Sequence, residues 1–365
     1  MMFDPAGLYG IVEQYAAFGN HHTGTDADRA TTDWLVDLLQ NMGGTVERDA
    51  YSFDRFVPEA SLTVDGQAVP SLPLFYSGTG EFDTSDFETM QVDAGLVGNA
   101  HKFASALSTS ETSTPLVIAI DGPDDLPVQC NRVPTALLGR PAVIIAGNWL
   151  SQVRGGAHLR FSAHIEPGES ANVIATFGDP SHPEVMITTP LTGWTPAAGE
   201  RGTGLAVALT MAAALATQNR VVFSACSGHE IDHVGLRHYL STRDLHGRLA
   251  VHLGASVAAT EPAIAGPPVL GDQRMVLTTA TGDTRSAIAA RIPDANWTMP
   301  DLDPPWPGEG GTWQQAGAQV LSFLGGASLF HTTDDVPDKA TTPDALKLAA
   351  DTAIDATQLF LGGCR

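Results

Sequence analysis

Lysine is nearly missing from this chain. Lys102, Lys339 and Lys347 are the only three in 365 residues, and 41 acidic against 19 basic residues set the net charge at −22. Such a balance repels nucleic acid and anionic membranes, so neither is expected as a partner. A solvated acidic surface is the simplest reading of the charge itself. Cysteine is equally scarce. Cys130, Cys226 and Cys364 are an odd number, widely spaced, with no CxxC pair. That excludes a disulfide framework and a thiolate zinc site, and it makes a reducing cytoplasm the expected location. No run of about 18 apolar residues exists, so no transmembrane helix is expected. The opening Met-Met-Phe-Asp-Pro lacks the basic and apolar regions of a secretory signal.

What is present is the composition of a globular protein, 43% hydrophobic and 16% charged. The length exceeds the usual size of one hydrophobic core, so two structural units are expected. Asp4–Phe18 and Asp26–Met42 read as helices. In the second, Trp34, Leu35, Leu38, Leu39 and Met42 recur at helical spacing, Asp26 can cap, and Gly43-Gly44 ends the run. Thr45–Phe53 alternates as a strand. From about Phe56 to Glu169 the character changes to short β runs at Ser61–Val64, Leu116–Ile120, Ala142–Ala146 and Leu159–His164, punctuated by Gly, Pro and Ser. An α/β rhythm then returns. Strands are expected at Asn172–Phe177, Val185–Thr189, Val221–Cys226, Leu249–Leu253, Met275–Ala280 and Val320–Leu324. Helices are expected at Gly202–Ala216, Val234–Thr242 and Pro343–Leu361.

The segment VVFSACSGHEIDHVGLRHYL, residues 221–240, carries two incompatible readings. His229-Glu230-Ile231-Asp232-His233 matches HExxH, in which two histidines one helical turn apart bind zinc and the glutamate acts as base. Yet the motif follows a strand directly, with Gly228 before it and Gly235 after it. That places residues 229–233 on a loop at the carboxyl end of a strand, where open α/β folds hold their ligands. The loop reading is preferred, with His233 left to the surface or a helix start.

The order of elements resembles the co-catalytic zinc aminopeptidase family, which also contains glutaminyl cyclases and the non-catalytic transferrin receptor and nicastrin. The resemblance rests on HHTGTDADRATTDWLVDLLQNMGGTVERDAYSF, SANVIATFGDPSHPEVMITTPLTGW, ERGTGLAVALTMAAAL, SGHE and FHTTDDVPDKAT, and it covers nearly the whole chain. It implies an α/β fold, a central mixed β-sheet sandwiched by helices (residues 1–55 and 170–365), with an inserted β-rich domain of protease-associated type at 56–169. Position by position, the family's first ligand His falls on Pro190 and its orienting Asp on Thr192. The bridging Asp falls on Glu200, with Arg201 after it; the general-base Glu falls on His229; the ligand Glu is Glu230. The late ligand Asp falls on or near Gly254, and the last ligand His is His331.

Proline and glycine have no ligating side chain, so the resemblance implies one metal instead of two, held by Glu200, Glu230 and His331. Zinc is the foremost candidate, with iron or manganese as alternatives. The expected function is a metal-dependent hydrolase acting on an amide-like bond of a small molecule or peptide, with His229 as base or as an added ligand. One rival is a non-catalytic binding protein on this fold. The other is an iron-type triad of His229, Glu230 and His331 with non-hydrolytic chemistry. Trp194, Trp306 and Glu309 are candidate substrate contacts, Trp306 and Glu309 lying in the loop Asp301–Trp313. Asp232 or Glu309 could also stand in for a lost ligand, and Glu200 with Arg201 could be a plain ion pair. Asp334 and Asp335 are candidates to orient His331. Homo-oligomerisation is left open.

Overall fold

The computed structural model describes residues 3–107, 113–262 and 268–364. Its strands, in chain order, are β1 (Thr45–Val64), β2 (Gln67–Val69), β3 (Ser71–Pro73), β4 (Gly80–Thr84), β5 (Glu88–Val92), β6 (Leu116–Ile120), β7 (Ala142–Ala146) and β8 (His158–Phe177). After them come β9 (Glu184–Pro190), β10 (Arg220–Cys226), β11 (Leu249–Leu253), the short ribbon β12 (Thr260–Glu261) and β13 (Val269–Leu270), β14 (Arg274–Thr278) and β15 (Gln319–Gly325). The main sheet runs β14-β15-β11-β9-β10-β8-β1-β2, with β4 also on β8. Its centre, β10, β9, β11 and β15, is parallel, and its flanks are antiparallel. The fold is therefore α/β with a central mixed sheet between helices.

The parallel strands lie under helices on both faces and are largely apolar, with Thr188, Ser224, His252 and Ser322 among the polar exceptions. Ile187, Phe223, Val251 and Phe323 feed the core on one side, against the helix Thr203–Leu215. That helix is buried on almost every face, as its richness in Leu, Ala, Val and Met demands. The C-terminal helix Pro343–Cys364 adds Leu346, Ala350, Ala353 and Phe360 to the same core.

A second sheet, β3-β7-β6-β5, carries a core of its own around Phe103, Ile118, Ile120 and Ile144. It is joined to the main sheet by two uninterrupted strands. β1 pairs with β8 from Thr45↔Thr176 to Thr63↔His158 without a break. Sequence punctuation suggested four short strands here; the structure joins them into two, running straight through residues 56 and 169. Pro58 and Pro167 are tolerated because each lies where its strand has a ladder neighbour on one side only. Among the described residues, no helix is long and apolar enough to cross a membrane.

Candidate functional site

The carboxyl ends of β9, β10, β11 and β15 open onto one region, and each contributes side chains. After β10 the chain turns at Gly228, whose φ is +76° and where a Cβ would meet Val234 Cγ1 at 2.3 Å. His229–Ile231 form one 3₁₀ turn, and Asp232 and His233 are both left-handed. HEIDH is thus a strand-to-helix turn. The helical face that a zincin motif needs is absent, although the His229 and His233 rings lie 4.7 Å apart.

Three buried groups occupy the region. The first surrounds Glu230. Its Oε1 accepts from the Thr23 backbone N–H at 2.7 Å, the Thr23 hydroxyl at 2.5 Å and His22 Nδ1 at 3.1 Å; its Oε2 accepts from the Thr192 hydroxyl at 2.8 Å. Burial alone would raise this carboxyl's pKa. The hydrogen bonds from His22 and Thr23 outweigh burial and hold it at about 2. The Thr23 loop is itself fixed, because Gly24 N–H donates to Asp28 at 2.8 Å and Thr25 caps the following helix.

The second group is His229 with Glu309, where Nδ1 and Oε1 are 3.0 Å apart. Glu309 stands in the first turn of the helix Gly308–Gln315 and is 1% exposed. Its Oε2 has no partner, and burial raises its pKa to about 8. Burial also lowers the pKa of His229 well below the ordinary value, helped by the positive charge of Arg201. The imidazole keeps 9% of its surface exposed, and its Nε2 has no protein partner among the described residues. His233 meets the Thr312 hydroxyl at 3.1 Å, and His252, on β11, meets the Thr188 hydroxyl at 3.0 Å.

The third group is Glu200, Arg201 and His331, all fully buried. Arg201 Nη2 lies 2.6 Å from Glu200 Oε1, and His331 Nε2 lies 3.3 Å from the same oxygen. Burial pushes the Glu200 pKa up, but Arg201 and then His331 pull it below the usual range. Arg201 Nε donates to the Thr192 carbonyl at 2.9 Å, while Nη1 has no partner. His331 Nδ1 lies 2.8 Å from the Gln129 carbonyl, which takes the orienting place expected of Asp334. Asp334 instead pairs with Lys339 at 2.6 Å. Asp335 accepts from the Gly199 and Glu200 N–H groups at 2.7 and 3.0 Å, and burial raises its pKa to about 7.

The segment between β6 and β7 closes over these groups. In the segment running through Gln129 and Arg132, Gln129 N–H donates to the His331 carbonyl at 3.0 Å and Arg132 N–H to the Glu230 carbonyl at 2.9 Å. Trp194 Nε1 donates to Asn131 Oδ1 at 3.0 Å. Trp194 and Trp306 line different cavities: the former faces the junction of the two units, the latter a groove beside Arg285 and Asp301.

His229, Glu230, Glu200 and His331 are therefore neighbours in the fold, but Glu200 and His331 meet each other and Arg201, while His229 turns to Glu309 and Glu230 to Thr23, His22 and Thr192. As placed, they do not fit a metal. Both oxygens of Glu230 are occupied by protein donors, and a guanidinium lies against the one carboxylate beside His331. Among the described residues no three His, Cys, Asp or Glu side chains converge to hold an ion. The iron-type triad meets the same obstacle. Sequence reasoning did not assign His22, Thr23, His252 or Gln129. Only His252 had a local signal, as the one polar side chain in the apolar strand β11.

No family model and no curated protein matches the sequence. Solved structures do match. A zinc aminopeptidase from Bacillus subtilis superposes with a TM-score of 0.74 at 15% identity, over 97% of this chain and 94% of that one. An aminopeptidase from Aneurinibacillus sp. strain AM-1 gives 0.65 at 15%, over 97% and 93%. A peptidase M28 precursor from Shewanella amazonensis gives 0.72 at 15%, over 97% and 92%. The chain has the fold of the zinc aminopeptidases over nearly its whole length.

Proposed function

We propose that this protein is a hydrolase of an amide-like bond that has kept the aminopeptidase fold and replaced metal chemistry with side-chain chemistry. The observation that carries the reading is the contact between His229 Nδ1 and Glu309 Oε1 at 3.0 Å, with Nε2 making no hydrogen bond among the described residues. A carboxylate that fixes one imidazole nitrogen leaves the other aimed as a general base. Arg201 supplies the permanent positive charge, and its unpartnered Nη1 suits an oxygen on which negative charge develops. Glu200 and the Thr192 carbonyl hold that guanidinium in place. No step is routed through an ion.

The protonation of the pair gives the reading a pH signature. Glu309 keeps its proton up to about pH 8. Above that value the carboxylate accepts Nδ1–H and the Nε2 lone pair is free to take a proton from water. kcat/KM should therefore climb as pH rises through about 8 and then level off.

The test is hydrolysis of a panel of aminoacyl and N-acyl amides and p-nitroanilides, with and without prior dialysis against a chelator. His229→Ala should lower kcat/KM by at least about 100-fold, the size expected for a general base. Glu309→Gln should lower it by about 10-fold or more and flatten the pH profile. Chelation should leave the rate unchanged. Stoichiometric zinc whose removal abolishes turnover would overturn the metal-free reading, and no turnover of any substrate would leave a binding protein.

A further inference from the structure

A cavity of about 320 Å³ lies where the two units meet, at the lower end of the range of about 300–1,000 Å³ usual for small-molecule sites. Its wall is aromatic. The His22 and Trp194 rings stack at 4.8 Å and 15°, Phe75 packs on both at 4.4 and 4.7 Å, and Phe56 closes the side. Faces and edges of this kind suit a flat ring, because aromatic pairs gain from offset-stacked and tilted contact beyond the area they bury.

The charge of the wall is unusual for this protein. Against a net charge of −22, none of the described residues lining the cavity is acidic, and Arg55 is among them. Arg55 Nη1 binds Glu166 at 2.8 Å on one side, but its Nε is buried without a partner. His22 has a second such atom. Its Nδ1 serves the ionised Glu230, and its Nε2 is buried without a partner. A buried N–H or ring nitrogen left unpaired is costly and calls for a partner.

We propose that this cavity binds a small planar aromatic carboxylate. The ring lies against Trp194 and Phe75, and the carboxylate takes the guanidinium of Arg55. The inference stands apart from the hydrolase reading, since neither His229 nor Glu309 lines the cavity.

The test is calorimetric and fluorescence titration of the full chain with three probes: indole-3-carboxylate, indole and cyclohexanecarboxylate. Indole-3-carboxylate should bind saturably and quench tryptophan emission, at least 10-fold more tightly than either of the others. Arg55→Leu should weaken indole-3-carboxylate by about 10-fold and leave indole unchanged. Trp194→Leu should weaken both aromatic probes and remove most of the quenching. Because Trp194 is a core residue, Phe75→Leu serves as a second aromatic variant, with circular dichroism confirming the fold of each. His229→Ala should bind as wild type does, whatever becomes of its activity. Equal binding by Arg55→Leu and wild type, or no saturable binding of indole-3-carboxylate by folded protein at millimolar concentration, would overturn the proposal.

Discussion

Glu230 and Glu309 flank the same turn, both are buried, and they answer burial in opposite ways. Glu230 collects donors from Thr23, His22 and Thr192 and stays ionised down to about pH 2. Glu309 has one polar partner, His229, and holds its proton up to about pH 8. Desolvation acts on both, so the difference lies in the donors. One carboxylate is a structural anchor that ties the N-terminal loop to the site. The other is a titrating group, and a buried titrating group paired with an imidazole is where chemistry is expected.

The sharpest way to break this contrast is to remove the anchor. Glu230→Ala leaves the Thr23, His22 and Thr192 donors buried and unpaired, and should cost about 3–5 kcal/mol in urea unfolding. Glu309→Ala should cost clearly less; equal costs would mean that both glutamates are structural. A smaller effect follows from linkage. The folded-state pKa of Glu309 is raised above its ordinary value near 4.5 to about 8. Its contribution to stability is therefore fully present below about pH 4.5 and is lost as pH rises through about 8. Replacing it with Gln removes that loss, so Glu309→Gln should gain about 3 °C in Tm relative to wild type between pH 5 and pH 9. A parallel fall of both proteins would show that Glu309 does not titrate in this range. The mildest change is Thr192→Val, which deletes one donor to Glu230 and should cost about 1 kcal/mol by the same unfolding measurement.

The parts of the fold that sequence reading placed well are those whose environment is uniform. Leu116–Ile120, Ala142–Ala146 and Leu249–Leu253 are apolar runs, and the observed strands share those bounds. Gly, Pro and Ser between the short β runs read as punctuation in the sequence, yet β1 and β8 run through Pro58, Pro167 and Gly168 without a break. Their compatibility with the ladder depends on which side of each strand is unpaired, and that is a tertiary fact. The site divides in the same way. Glu200, Glu230 and His331 were picked out by family resemblance, but their partners were not. His22 and Thr23 reach Glu230 from some two hundred residues earlier in the chain, and no spacing rule links them. Arg201 was visible as a neighbour of Glu200. Its direction was not, because the backbone there makes a π-type turn at Ala198–Gly202.

The unbroken ladder from Thr45↔Thr176 to Thr63↔His158 has a mechanical consequence. Two units joined by a flexible linker can swing apart, and a cleft between them opens as a hinge. Here the joint is a two-stranded beam, and any large rotation of the inserted sheet must bend or shear consecutive backbone hydrogen bonds. The stiff direction is therefore the one that would separate the units. The buried segment through Gln129 and Arg132 adds a second tie, with backbone bonds to His331 and Glu230 and side-chain bonds to Pro73, Phe75 and Tyr76. The buried groups therefore sit in a frame braced on two sides, one that resists opening as a hinge would.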